Sequence, residues 1–150
     1  MNWRNLGLIY QLSGERKWAK SHASVPIADH QFGDIYRIIF TSRDASNRSH
    51  IGWFEIDIGD PKKILNESND PLLTPGKLGA FDMDGVMASA LVKLGNEKRL
   101  YYIGWNRSVG VPFRNSIGLA VQTGDTYRFH RYADGPILDR GRTDPYFMAS

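Results

Sequence analysis

Apolar and polar positions alternate along this chain in short runs and never settle into a helical period. The alternation is clearest over residues 50–58. Ile51, Trp53, Glu55 and Asp57 fall on one face there, and Gly52, Phe54, Ile56 and Ile58 on the other, which is the period of a strand. Residues 36–41 form a second strong run, rich in β-branched and aromatic side chains. Residues 22–27 read as a shorter strand closed by Pro26. Asp60-Pro61 stops the 50–58 run, and residues 63–65 give a weak outer strand. Asn69-Asp70-Pro71 and Pro75-Gly76 are turn signals. Beyond them, residues 85–94, 100–105, 117–121 and 127–132 predict four more strands, with a hairpin turn at Gly95-Asn96-Glu97. The apolar run over 6–10 has no evident partner. No segment joins helical spacing to capping residues, so the expected class is all-β.

The runs repeat. Phe40-Thr41-Ser42-Arg43-Asp44 has its counterpart in Tyr102-Ile103-Gly104-Trp105-Asn106, 62 residues later. Ile51-Gly52 returns as Ile117-Gly118 after 66, Pro71-Leu72-Leu73 as Pro136-Ile137-Leu138 after 65, and Met87-Ala88-Ser89 as Met148-Ala149-Ser150 after 61. A period of this length made of short strands predicts one four-stranded β-propeller blade per repeat. The expected boundaries are about 20–68 for the first blade, about 82–133 for the second, and about 143–150 for the start of a third. Propellers close with roughly four to eight blades. Two blades therefore imply either self-association or a C-terminal half that completes the ring.

Composition narrows the function classes. A length of 150 residues suits a single domain, and 41% hydrophobic residues allow a packed core. There are no cysteines, which excludes disulfides and thiolate metal sites and fits a reducing compartment. The first residues, Met1-Asn2-Trp3-Arg4-Asn5, open no apolar leader, and no run approaches the roughly 18 apolar residues of a membrane span. The expected location is cytoplasmic. The net charge of +3 comes from scattered Lys and Arg interleaved with acids. Nucleic-acid binders gather such residues on one element, so neither nucleic acid nor membrane is the expected partner. The four histidines lack ligand spacing, and no cofactor or metal is expected.

In a propeller, the residues that open each innermost strand face the central axis. Here these are Ser21-His22, Phe81 to Gly85, and Thr143 to Tyr146. Asp82, Asp84 and Asp144 are the candidate catalytic carboxylates. One carboxyl that gives a proton and another that activates a nucleophile are what glycoside cleavage needs. His22, Arg43, Asp44, Trp105, Asn106 and Tyr146 are the candidate substrate contacts: aromatic rings to stack on sugars, and an arginine fork to hold a carboxylate or phosphate. Each also has a structural role open to it. Asp-Gly and Asp-Pro shape turns, and Trp53 suits a core.

The residues 22–26, 36–44 and 75–86, followed by Leu100-Tyr101-Tyr102-Ile103-Gly104-Trp105-Asn106, Ile117-Gly118-Leu119-Ala120 and Gly135-Pro136-Ile137-Leu138, resemble the start of a five-bladed propeller glycosidase. The resembling group is the predicted glycosyl hydrolases related to glycoside hydrolase families 43, 32 and 130. The resemblance implies an axial cleft with acids from successive blades. Asp82 or Asp84 matches the second-blade aspartate of the family 43 pattern, and Asp144 lies where the third blade begins. The first-blade position holds His22 rather than an aspartate. A phosphate-using scheme of the family 130 type accommodates His22 and Arg43 better.

Two readings of different classes follow. The first is a glycosidase or glycan phosphorylase acting on a carbohydrate substrate in an axial funnel. The alternative is a non-catalytic sugar-binding or polysaccharide-assembly protein that retains the funnel.

Overall fold

The strands run in two consecutive antiparallel meanders, each made of neighbours in sequence. The computed structural model describes residues 4–124 and 127–146. The first meander holds β1 (Ser21–Phe32), β2 (Ile35–Arg43), β3 (Ser49–Asp57) and β4 (Asp60–Glu67). The second holds β5 (Gly85–Leu94), β6 (Glu97–Arg107), β7 (Phe113–Thr123) and β8 (His130–Arg131). There is no helix among the described residues. The architecture is all-β, a partial propeller of about two blades.

Runs of alternating or continuous apolar residues form these strands because the first meander is covered on both faces and the second on the face toward it. On one face of the first blade, Ile39, Ile51 and Trp53 pack with Leu72 and Leu73. They meet Val86, Ala88, Leu100, Tyr102, Ala120 and Phe129 of the second blade. This layer between the blades is the larger core. On the opposite face, Phe40, Phe54 and Ile56 pack against Trp18, Ile9, Tyr10 and Leu12. The apolar run over 6–10 therefore does have a partner. Tyr10 stacks on Phe54 with ring centroids 4.0 Å apart and 14° between planes.

The sequence repeats coincide with repeated geometry. Phe40 pairs with Gly52 across β2 and β3, and Tyr102 with Gly118 across β6 and β7. Both glycines are needed for space. A Cβ on Gly118 would lie 2.2 Å from the Tyr102 ring, and one on Gly52 would lie 2.1 Å from the Trp18 ring. Leu73 bridges Ile51, and Leu138 bridges Ile117. The Ile51 amide donates to the Leu73 carbonyl at 3.0 Å, and the Ile117 amide to the Leu138 carbonyl at 2.8 Å.

Some boundaries differ from the sequence reading. β1 continues through Pro26 to Phe32, because its pairing with β2 shifts register between Ser24 and Ile27. The bulge absorbs a residue that has no amide to donate. Asp60 opens β4 instead of only closing β3, with the turn tightened by the Gly59 amide on the Asp57 carboxylate, 2.8 Å. β8 is two residues long. Met148-Ala149-Ser150, and with it part of the expected third-blade start, lies outside the described residues.

Candidate functional site

A single row of paired residues crosses both blades at the end where β1, β3, β5 and β7 begin. Ser21 pairs with Arg43, Arg43 with Ser49, Ser49 with Gly85, Gly85 with Trp105 and Trp105 with Asn115. The Ser49–Gly85 step is parallel and is the one strand pair that joins the blades among the described residues. Of the residues picked out from sequence, Arg43 and Trp105 stand in this row. His22, Asp44, Asp84 and Asn106 are each one residue from it. The rim thus gathers six of the nine candidates at one edge of the sheet. No side-chain contact among the described residues joins Asp82, Asp84 and Asp144 to one another.

Each carboxylate has its own surroundings. Asp82 is buried and its Oδ2 accepts three bonds: from Tyr102 Oη at 3.1 Å, Arg131 Nε at 2.9 Å and Arg131 Nη2 at 2.7 Å. Its Oδ1 is buried with no hydrogen-bond partner. Beside it, loop residues 74–78 and Ala80 together with Arg131 and Asp134 line a cavity of about 470 Å³. Asp84 is also buried and fastens the start of β5 to the end of β6. It accepts from the Arg107 amide at 2.8 Å and from Arg107 Nη2 at 3.1 Å. Asp144 has an exposed side chain, and its carbonyl accepts from the Gly141 amide at 2.7 Å.

Asp44 organises the β2–β3 turn. Its carboxylate accepts from the amides of Ser46 and Arg48, from Arg48 Nε and from His50 Nε2 at 3.2 Å. Burial pushes this carboxyl up, but the bonds from the Arg48 amide, His50, the Ser46 amide and the Arg48 guanidinium outweigh it. They hold the group below the ordinary aspartate value. Burial pushes His50 down from its ordinary value against the opposing pull of Asp44. His50 Nδ1 is buried without a partner.

Among the proposed sugar contacts, Trp105 is buried. Its Nε1 donates to Ser49 Oγ of the first blade at 2.7 Å, and its ring meets Phe113 edge-on at 5.9 Å. Trp53 faces the layer between the blades, where the Arg37 guanidinium lies 4.4 Å from its ring centroid and 4.0 Å from that of Tyr127. Tyr146 is exposed. The Arg43 guanidinium makes no ion pair or hydrogen bond among the described residues, and it is Arg48 that pairs with the neighbouring Asp44. His22 has φ +64, and its Nδ1 lies 2.8 Å from Ser21 Oγ; Val25 has φ +51. A bulky residue with positive φ is strained, and such strain clusters at functional positions.

Two residues that hold or carry carboxylates, Asp139 and Arg131, went unnoticed in the sequence. Asp139 accepts from Ser116 Oγ at 3.0 Å, Arg114 Nη2 at 2.8 Å and the Arg140 amide at 2.8 Å. Burial raises its carboxyl, and these bonds together bring it below the ordinary value. It follows Leu138 as Thr74 follows Leu73, so the repeat marks the position, but the residue type changes between copies. Arg131 had no signal beyond its charge, since its partner Asp82 is 49 residues away. No group of three or more His, Asp or Glu among the described residues is arranged to hold a metal ion.

No family model matches the chain. Two uncharacterized proteins of Mycobacterium tuberculosis, from strains CDC 1551 / Oshkosh and ATCC 25618 / H37Rv, are each 40% identical to it over 149 residues. The match takes in 99% of this chain and 50% of each relative. The chain therefore spans about half the length of the curated relatives it matches. Among solved structures, a glycosyl hydrolase from Bacteroides ovatus superposes with a TM-score of 0.63 at 14% identity, over 87% of this chain and 36% of that one. A structure from the family 130 mannoside phosphorylases, a family that contains glycoside hydrolases acting on β-1,2 mannosidic linkages, superposes with a TM-score of 0.59 at 14% identity. It covers 87% of this chain and 36% of its own. These likenesses are of fold: the chain matches about a third of a glycosidase propeller.

Proposed function

We propose that this chain supplies two blades of a carbohydrate-active propeller, and that glycan is bound where the strands of the row begin. Two observations support the reading. The solved structures of like fold are glycoside-acting proteins, and six sequence-selected polar and aromatic residues come to one rim. The register row from Ser21 to Asn115 is the observation that carries it.

The residues divide the work as their surroundings allow. Asp144, with an exposed carboxyl, acts as the proton donor or acceptor at the glycosidic oxygen. Asp82 is pinned by Arg131 and Tyr102, so it serves as a fixed charge that orients and polarises rather than as a mobile acid. Asp84 and Asp44 brace the rim. Arg43 keeps an unused planar fork suited to a phosphate or a sugar carboxylate, which favours phosphorolysis as much as hydrolysis. Tyr146 offers an exposed ring for stacking, while Trp105 and Asn106 shape the floor and His22 borders it. A cysteine-free chain suits a reducing compartment, and we place the activity in the cytoplasm.

The test is turnover of a panel of glycosides, β-1,2-linked mannosides included, with and without inorganic phosphate, paired with calorimetric binding of the same sugars. Asp144→Asn is expected to lower turnover at least a hundredfold while sugar binding persists. Arg43→Ala is expected to remove phosphate dependence. Binding without turnover in the unmodified chain would leave the non-catalytic sugar-binding alternative in its place.

A further inference from the structure

Asp82 is satisfied on one carboxylate oxygen and not on the other. Its donors, Tyr102 Oη, Arg131 Nε and Arg131 Nη2, all converge on Oδ2, at 3.1, 2.9 and 2.7 Å. Oδ1 is buried with no partner. An arginine fork often engages both oxygens of a carboxylate. Here Nη2 donates instead to the Thr74 carbonyl as well, at 2.6 Å. Buried acceptors are nearly always paired, and each exception calls for an explanation. At the same step the first blade carries Trp18, whose ring is buried and whose Nε1 donates to the Asn69 carbonyl. The unpaired oxygen is thus particular to the second blade.

We infer that the cavity beside Asp82 is an accessory sugar site set back from the rim, in which Oδ1 accepts from a hydroxyl of an uncharged sugar unit. The inference rests on the carbohydrate reading above and adds a second place of contact to it. Position keeps the two apart. Tyr102 lies three residues before Trp105 in β6, about 10 Å along the strand. Arg131 belongs to β8, the outermost strand of the blade. Asp82 reaches these two residues and none of the row. The cavity of about 470 Å³ has the size of a small-ligand site, for which about 300–1,000 Å³ is usual. Charge selects the kind of ligand. Lys77, Asp82, Arg131 and Asp134 line the cavity and their formal charges cancel. Arg131 already balances Asp82, so a cation on Oδ1 would be set against the guanidinium, and a neutral donor suits it better. Pro75, Leu78 and Ala80 offer apolar surface to the C–H face of a ring, with Leu78 95% exposed. Gly76 keeps the space beside Oδ1 clear, since a Cβ there would lie 2.0 Å from it.

The test is an NMR titration of the isotope-labelled chain with the sugars of the panel above, β-1,2-linked mannobiose first. The Gly76 amide and Arg131 Nε report on the cavity; Arg43 Nε and Trp105 Nε1 report on the rim. Both sets of signals are expected to shift and saturate. Gly76→Ala, which sets a methyl group against Oδ1, should weaken binding at the cavity about tenfold. Leu78→Ser, on an exposed stretch of loop where the fold is not at stake, should weaken it about fivefold. The rim signals should titrate unchanged in both variants, whereas Arg43→Ala should weaken the rim set alone. Rim shifts without cavity shifts would overturn the inference and leave the carbohydrate reading standing. Shifts at neither place would overturn both. Cavity signals that move with methylammonium chloride and not with sugar would assign Oδ1 to a cation and overturn the inference as well.

Discussion

Trp18 and Asp82 stand at the same step of successive blades, each three residues ahead of its blade's first strand. In the first blade the Trp18 indole fills the space over Gly52 and donates to the Asn69 carbonyl at 2.8 Å. In the second, a side chain less than half that size is tied to Arg131 and Tyr102, and a cavity of about 470 Å³ opens beside it. One repeat position has thus been converted from packing to charge, on the blade that the sequence marks as bearing candidate acids.

Removing the charge at Asp82 leaves the Arg131 guanidinium without its counter-ion. Breaking a buried pair from one side costs about 3–5 kcal/mol. Asp82→Asn should therefore lower the urea midpoint markedly. Tyr102→Phe, which deletes a single hydrogen bond, should cost about 1 kcal/mol. Equal effects from the two variants would mean that the ion pair contributes nothing net.

Trp105 reaches from the second blade to Ser49 of the first. Leaving a buried donor or acceptor unpaired costs about 1–3 kcal/mol. Trp105→Phe and Ser49→Ala should each destabilise by that amount, and the double variant by scarcely more. A double-mutant cycle on chemical unfolding reads the coupling, expected to be about as large as either single loss, about 1–3 kcal/mol. Additive losses would show that the two side chains act independently.

Acid should weaken the β2–β3 turn in two stages. Burial depresses His50, so the unfolded chain takes up that proton more readily than the folded one. Stability is then complete above the ordinary histidine value of about 6.5 and declines as pH falls below it. Asp44 is depressed as well, with its bonds to the Arg48 and Ser46 amides, Arg48 and His50 outweighing burial. Its contribution is full above about 3.9 and is lost as pH falls through the lower folded value. Urea midpoints from pH 8 to pH 3 should show both steps. His50→Gln should erase the upper one alone. Persistence of the upper step in that variant would assign it to another histidine.

Alkali should release the N-terminal segment. Burial, together with the bond to Glu67, pushes the Tyr10 hydroxyl up from 10.0 to about 12. Folding favours the neutral phenol, so this stability is present below about pH 10 and vanishes as pH rises toward 12. Tyrosinate absorbance should contain two late steps, one from Tyr10 and a later one from Tyr102, which burial and the Asp82 charge also push up, and the earlier step should disappear in Tyr10→Phe. If the step survives, Tyr10 is not held against Glu67 in solution.

The strands, their pairing into blades and the spacing of the repeats were legible because each depends on neighbours in sequence. Phe40 opposite Gly52 and Tyr102 opposite Gly118 are written into the recurrence itself. The partner of residues 6–10 was not legible, since that run lies outside the repeat and Phe54, against which Tyr10 stacks, is distant in the chain. That six of the nine candidate residues would share one rim was legible as a matter of position, not of contacts. Asp84 and Asp44 each stand one residue from the row, yet nothing local announces that Arg107 and His50 would engage them. Asp139 was missed because the equivalent residue in the first blade is Thr74, and comparing copies reveals only what they share.

The junction of the blades has a consequence for how the chain comes apart. Ser49 and Gly85 supply its strand pair, and the rest of the seam rests on side chains: Thr41 Oγ1 accepting from the Ala88 amide at 3.1 Å, Lys98 on Asp29, and Arg37 under Tyr127. Each blade is closed by hairpins that form locally and fast. Order along the molecule thus resembles a short linear array, in which every unit is steadied by its neighbour rather than by a shared centre. Amide exchange would see this as two tiers of protection, with the second blade, covered on one flank only, opening first.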